Sequence, residues 1–343
     1  MFYNPAMAVD RDLGVAVVRA WNAAGRSDLV GWETSAATGV RGLRLLGETG
    51  RFRSFVLTEA GDAAYLALAR SAEGIPGAVA RHADGRRRPP DAPFDYVDVD
   101  PYGSPIPFLP GAIESLRPGG LLAVTATDMM VLAGAQPAAC RRRYGADPVR
   151  GRLGPESGVR ILLAYLAREA RAVARSVRPI LAYVGGHHVR AYVEVGEEAG
   201  GPDPIGPIVP DRWSGPPVGD RGPYGPLWLG PLFDPATLDR VAVPADAAEP
   251  RETARLLERM QEECRVPAAF YYEPNEIASR LGLPFPPSLE ELIRRLREAG
   301  FRASRTHARP EGVRTDAPRD RVEALARAVA AGGPQSQNAR VRA

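Results

Sequence analysis

Between residue 29 and about residue 196, short β-rich apolar runs alternate with segments whose apolar residues recur at helical spacing. That alternation restricts the chain to an α/β architecture with a mainly parallel sheet. The strand candidates are LVGWET (29–34), SFVLTE (54–59), a short run before RHADGR, FDYVDV (94–99), LLAVTAT (121–127), ILAYVGG (180–186) and VRAYVEV (189–195). Only His187 and His188 separate the last two, which is too short for a crossover. A hairpin must join them, so a seven-stranded sheet would be mixed at one edge. Helices are predicted at about 41–49, 60–72, 106–116 and 156–176.

After Val195 the composition changes. Residues 197–235 are crowded with Gly and Pro, which predicts a long irregular connection pinned to the surface by Trp213 and Trp228. Helices are then expected at 251–265, 274–281, 288–299 and 319–331, with FRASRT (301–306) as a strand, which together make a smaller α+β, winged-helix-like module. The tail GGPQSQNARVRA reads as disordered. A length of 343 residues suits this division into domains at 1–196 and 197–332 with a tail at 333–343.

With 45% hydrophobic and 25% charged residues, the chain is not globally disordered. No apolar stretch approaches the roughly 20 residues needed to cross a bilayer, and the first residues lack a signal-peptide pattern. A cytoplasmic protein without membrane association is expected. Cys140 and Cys264 form no metal-ligand spacing and read as free thiols. All 44 basic residues are arginine, whose planar fork suits phosphates and base edges. Residues 251–343 carry 17 Arg against 13 acids, a balance of +4, so the C-terminal part is the more anion-attracting.

ETSAATGVRG (33–42) follows the first strand, and its small residues, Gly39 among them, let a ligand approach the backbone at a helix start. Glu59, twenty residues beyond Gly39 at the end of the second strand, is placed to accept hydrogen bonds from ribose hydroxyls. Gly39-x-x-Gly42 is not a dinucleotide fingerprint, and an adenosine-bearing ligand without phosphates fits better. S-adenosyl-L-methionine is such a ligand. In RHADGR, Asp84, followed by Gly85, is placed to accept from the adenine amino group.

DVDPYGSP (98–105) closes the fourth strand beside the same crevice. Asp100 as acceptor, Pro101 as a rigid corner and Tyr102 as a π-face form a clamp for a planar base with an exocyclic amine. A carboxylate that accepts the N–H returns electron density to nitrogen and takes the proton as a methyl group arrives. The ring holds the base by stacking. Asp98, two residues earlier on the same strand face, reads as a supporting carboxylate. Substituting Asp100 by Ala is expected to remove methylation while leaving cofactor binding nearly intact.

Six blocks in order, FYNPAMAVDRD (2–12), SAATGVRGLR (35–44), DVDPYGSP (98–105), VTATDMMVLAGAQPAACRRRYG (124–145), PYGPLWLGPL (223–232) and SRTHARPEGVRTDAP (304–318), resemble the tRNA (guanine-26-N2) dimethyltransferase family over nearly the whole chain. The resemblance implies a Rossmann-like class I methyltransferase domain and a family-specific C-terminal domain. It also implies transfer of one or two methyl groups to N2 of guanosine 26. It gives Arg11 and Arg41 as cofactor contacts, Glu59 and Asp84 as the cofactor acids, Asp100, Pro101 and Tyr102 as the catalytic corner, and Asp128 as part of the base pocket. The start at FYNP and Glu33 in place of an Asp depart from the family pattern. So does the lack of cysteine in 197–222, where relatives carry a four-cysteine zinc site; no metal is expected.

A base inside folded tRNA must be flipped out, and phosphate contacts by arginine should supply most of the affinity. The candidates are Arg141, Arg142 and Arg143, with Arg305, Arg309 and Arg314 in the last block. His307 is read as an RNA-binding or packing residue, His82 as a loop residue, and the protein as a monomer. Methylation of another exocyclic amine, such as that of guanosine 27, is the runner-up. A nucleotide-dependent oxidoreductase, which would leave DPYG unexplained, is the rival from another class.

Overall fold

The computed structural model describes residues 4–21, 25–197, 201–219 and 222–331. The expected disorder of 333–343 lies outside the described residues. The chain opens on helix α1 (Ala8–Trp21), followed by β1 (Leu29–Glu33), α2 (Val40–Thr49), β2 (Phe52–Glu59), α3 (Asp62–Ala72), β3 (Ala78–His82), β4 (Phe94–Val99), α4 (Leu109–Ser115) and β5 (Leu116–Ala126). Two short helices, α5 (Met129–Leu132) and α6 (Pro137–Tyr144), lead to the long α7 (Gly154–Ala172) and the hairpin β6 (Arg175–Gly185) and β7 (His188–Glu197).

These strands form one sheet in the order β3-β2-β1-β4-β5-β7-β6. It is parallel from β3 to β5 and antiparallel where β7 pairs with β5 and β6, which is the mixed edge the short connection demanded. β1 and β4, each buried at every position, are flanked by β2 and β5 and covered on both faces, as central parallel strands require. Chain order reverses between β1 and β4, and that switch point opens a crevice beyond their carboxyl ends. The core beneath it is aromatic: Trp32 stacks on Phe94 at 5.6 Å, and Phe52, Phe55 and Tyr96 pack edge to face.

Helix α1 was not anticipated from the sequence. From Ala8 to Ala20 all but two of its side chains are buried, so it has no polar face and no helical stripe to read. The Gly/Pro-rich connection is also less irregular than expected. It contains the antiparallel pair β8 (Ile205–Ile208) and β9 (Tyr224–Trp228), with Leu227 and Trp228 buried against α7. Burial of the alternate apolar residues outweighs the turn propensity of their neighbours. His82 ends β3 instead of lying in a loop, stacked on Tyr65 at 4.7 Å.

The remainder comprises α8 (Pro235–Leu238), α9 (Pro250–Glu263), α10 (Pro274–Leu281), α11 (Leu289–Glu298), the ribbon β10 (Ala303–Arg305) and β11 (Val313–Thr315), and α12 (Arg319–Ala331). The expected boundary at 196/197 falls at the last residue of β7, whereas the apolar cores divide later. Residues up to Tyr271 pack with the large sheet, and Tyr272, Ile277, Leu292, Leu296, Val313 and Val322 form a second core. Buried charges join the two. Arg314 bonds Glu156 of α7 and Glu263 of α9, each at 2.6 Å, and Arg160 bonds Glu156 at 2.8 Å. No helix among the described residues is long and apolar enough to cross a membrane.

Candidate active site

A cleft of about 150 Å³ opens where β1 and β4 end, lined by Arg11, Glu33, Arg41, Asp100, Pro101, Tyr102 and Thr127, with the 35–38 turn as its wall. The turn is tight because Ala37 (φ 48°) and Gly39 (φ 75°) adopt left-handed conformations, and Gly39 N donates to Ala36 O at 2.7 Å. A side chain at Gly39 would be strained and would meet Leu68 at 2.7 Å. Glu59 accepts from Ala37 N at 3.0 Å and so holds the turn from β2.

Charge is concentrated under the cleft. Asp98 is fully buried and takes both forks of Arg190, at 3.0 and 2.7 Å, with Tyr96 Oη donating to it at 2.5 Å. It has no face toward the cleft, which matches the supporting role read from the sequence. Asp100 stands one side-chain step higher and accepts from Arg41 Nη2 at 2.8 Å; Arg41 Nε lies 4.0 Å from Asp98. Burial acts to raise the Asp100 pKa, but the guanidinium groups of Arg41 and Arg190 prevail and hold it below the ordinary aspartate range. Glu33 behaves oppositely. Burial, reinforced by Asp98 and Asp100, pushes its carboxyl well above the usual range, and it accepts from Gly42 N at 3.0 Å. The two shifts run in opposite directions, which disfavours a second negative charge in the cleft beside Asp100.

Arg41 is 5% exposed, and its Nη1 has no hydrogen-bond partner. A buried cationic donor lining a cleft fits a ligand carboxylate, which S-adenosylmethionine carries. Arg11, 6% exposed and donating to Asn4 O at 3.1 Å, lines the same cleft. The structure therefore brings together Arg11, Arg41, Asp100, Pro101 and Tyr102 as expected, with Glu59 and Gly39 shaping the turn.

Asp84 departs from its expected place. It does not line this cleft; both its oxygens take the Arg86 side chain, an interaction that lowers its pKa to about 2. Gly85 presses against Thr34, where a Cβ would sit 1.8 Å from the carbonyl oxygen. This pair fixes the 84–87 loop against the end of β1. Asp128 is also engaged: Tyr144 Oη donates to it at 2.8 Å and Arg143 at 3.3 Å. Ser104 Oγ lies 3.1 Å from the same Tyr144 oxygen, and Thr127 N donates to Gly103 O at 3.0 Å. Asp128 thus ties the 127–144 segment to the loop that carries Tyr102, which is 75% exposed at the mouth.

Two expected RNA contacts are corrected. Arg314 is 2% exposed and saturated by Glu156, Glu263, Ala268 O and Phe270 O. His307 Nδ1 lies 2.6 Å from Glu263, and its Nε2 accepts from Val184 N at 3.2 Å. Neither can reach a phosphate; both join the C-terminal part to the sheet. Arg305 and Arg309 keep surface exposure but pair with Glu290 and with Glu273 and Glu311. Sequence reading passed over Asp10, His188, Arg190 and Tyr192. Asp10 is bonded by His188 at 2.7 Å and Tyr183 at 2.5 Å, one residue from Arg11. Arg190, Tyr192 and Glu194 alternating with apolar residues in VRAYVEV were the available signal. Among the described residues, no three His, Cys, Asp or Glu side chains converge as a metal site.

A sheet of this order and direction, with a carboxylate–arginine cleft at its switch point, defines a class I S-adenosylmethionine-dependent methyltransferase. The chain belongs to the N2,N2-dimethylguanosine tRNA methyltransferase family, whose model matches residues 1–203 and 219–327. It is 33% identical to a tRNA (guanine(26)-N(2))-dimethyltransferase of Pyrococcus horikoshii, over 93% of this chain and 90% of that protein. It is 34% identical to one of Methanosphaerula palustris, over 94% and 91%. The structure of Trm1 from Pyrococcus horikoshii in complex with S-adenosyl-L-methionine is similar at a TM-score of 0.83, with 32% identity over 94% of both chains.

Proposed function

We propose that this chain methylates the exocyclic N2 of guanosine 26 in tRNA, once or twice, with S-adenosylmethionine as donor. The observation that carries the reading is Asp100, an ionised carboxylate at the lip of β4 beside an exposed Tyr102 and above the buried Arg41. In this reading residues 1–196 hold cofactor and chemistry, and residues 197–332 contribute to tRNA binding. Arg41 and Arg11 would hold the donor's carboxylate, and Glu59 its ribose. When bound, the donor supplies an electrophilic methyl group on a sulfonium.

The guanine amine is a weak nucleophile because its lone pair is delocalised into the ring. Asp100 accepts one N–H, raises electron density at nitrogen, and takes the proton released when the N–C bond forms. Its depressed pKa makes it a weak base before reaction but a permanent negative charge, which stabilises the cation developing at N2. Pro101 fixes the backbone and Tyr102 offers a face on which the flipped base stacks. Asp128 acts through Tyr144 as a positioning residue for the Tyr102 loop. The test is mass spectrometry of nucleosides from unmodified tRNA treated with the purified protein, with the site mapped. Methylguanosine or dimethylguanosine at position 26 is expected; product confined to another position refutes the assignment.

A further inference from the structure

A groove of about 990 Å³ runs along the boundary between the large sheet domain and α10, lined by Arg141, Asp147, Arg150, Arg152, Asn275 and Ser279 among others. We propose that the tRNA backbone lies in this groove and along the adjoining α6, with Arg150 in the groove and the exposed Arg142 beside it as phosphate-binding side chains, and that the C-terminal part enters the interface through α10 instead of through residues 304–314. The inference rests on the tRNA reading above and adds where on the molecule the RNA sits.

Four observations carry it. The segment RRRYGADPVRGR (141–152) holds five exposed arginines and a single acid, Asp147, which is already paired with Arg141. Arg142 and Arg150 have no carboxylate within ion-pair distance among the described residues, so both forks are open to a ligand. Side-chain bonds also tie the groove's rim to the mouth of the reaction cleft: Arg143 and Tyr144, on the same helix as Arg141 and Arg142, bond Asp128, and Tyr144 meets Ser104 just beyond Tyr102. The groove's other acid, Glu276, is half-buried, and burial with Glu273 close by raises its carboxyl above the usual range.

The competing surface is a cavity of about 830 Å³ lined by Arg265, Arg297, Arg302 and an apolar wall. Its arginines are committed: Arg297 donates to Ala303 O at 2.8 Å, Arg302 to Arg265 O at 3.4 Å, and Arg265 pairs with Asp239 at 3.2 Å. In residues 304–314 the buried Arg314 and His307 join the two cores, and the exposed Arg305 and Arg309 are paired with Glu290 and with Glu273 and Glu311.

The test uses the full chain and an unmodified tRNA transcript, with binding measured by fluorescence anisotropy over a range of salt concentrations. Arg150→Glu should weaken binding roughly tenfold and Arg142→Glu/Arg150→Glu further, each lost contact lowering the salt slope by about one. Arg265→Glu should match wild type, and cofactor affinity by calorimetry should be unchanged in all three, since none of these residues lines the cleft. Wild-type affinity and slope in the double variant, or an equal loss in Arg265→Glu, overturns the proposal. The product mapped on wild type keeps the two readings apart. Methylation at position 26 with unaffected groove variants sinks the groove alone, and methylation elsewhere with weakened groove variants sinks the site assignment alone. Failure of wild type to bind tRNA sinks both.

Discussion

Asp100 does two things that a pair of substitutions separates. It accepts from Arg41 Nη2 at 2.8 Å and it faces the cleft beside Tyr102. Asp100→Asn keeps an oxygen for Arg41 but removes the charge and the proton acceptor. Loss of a positioned base costs about 10²- to 10⁴-fold, which at about 1.4 kcal/mol per decade is roughly 3–5.5 kcal/mol in the barrier. Arg41 still has the amide oxygen and Asp98 at 4.0 Å, so cofactor affinity should change by less than about tenfold. Asp100→Ala goes further, because it strands Nη2 beside an Nη1 that already has no partner. Removing one member of a buried pair costs about 3–5 kcal/mol, and the retained Asp98 and the 22% exposure of the Asp100 side chain put this case near 3. At roughly 2–4 °C per kcal/mol, Tm should fall by about 6–12 °C, and cofactor binding should weaken with it. The geometry around Arg41 therefore leads to a different expectation from the sequence alone, namely that Asp100→Ala weakens cofactor binding as well as turnover. Single-turnover methyl transfer, calorimetry with S-adenosylmethionine and thermal melts read the three quantities. Asn turnover within threefold of wild type, or equal losses of cofactor affinity in Asn and Ala, would refute the two-role account.

Because the folded pKa of Asp100 is depressed below 3.8, the residue stays ionised down to strong acid, and kcat should show no acid limb between about pH 5 and 8; a limb centred near pH 6.5 contradicts this. Asp10, Asp12, Glu156 and Glu263 are likewise held below their ordinary 3.8 and 4.5, so the stability they contribute is fully present above those values and lost as pH falls through the lower folded ones. Melts should collapse below about pH 4, beside the gradual loss with rising pH that the raised Glu33 contributes above its ordinary 4.5; stability undiminished below pH 4 contradicts the assignment. Arg314→Met, which takes from Glu156 and Glu263 the cation they share, should cost about 3–5 kcal/mol by denaturant titration while leaving the salt slope of tRNA binding unchanged. A reduced slope would return Arg314 to the RNA surface.

The sheet was legible in the sequence because its central strands are buried on both faces and read as unbroken apolar runs, and because a two-residue gap between the last strands permits only a hairpin. The cleft was legible where chemistry is local: DPYG and the 35–39 turn place their own side chains. What failed to show was long-range. Nothing in the segment around Arg314 reveals that Glu156, 158 residues earlier, sits 2.6 Å away. An exposed and a buried arginine look alike in a sequence, so the 304–314 block read as an RNA surface. The pairing of Asp84 was hidden for a similar reason, since Arg86 stands only two residues on but could as well have pointed to solvent.

Absence of lysine is a compositional fact with structural content at some positions and none at others. Arg190 spans both oxygens of Asp98 and also reaches Thr125 Oγ1 at 2.6 Å. Arg160 bonds Glu156 and two backbone carbonyls, and Arg314 joins two carboxylates with two more carbonyls. Each role uses several donors in a plane, which an ammonium on a flexible stem cannot match, and a shorter reach would leave buried acceptors unpaired. Arg190→Lys should therefore cost about 2–3 kcal/mol and, because Asp98 then loses its clamp beneath Arg41, weaken cofactor binding as well. At an exposed site such as Arg150 a phosphate requires only a positive charge, and Arg150→Lys should keep most tRNA affinity. Melts and calorimetry on Arg190→Lys, beside anisotropy on Arg150→Lys, separate the cases. Equal tolerance at both positions would mean that the all-arginine composition carries no structural requirement even in the core.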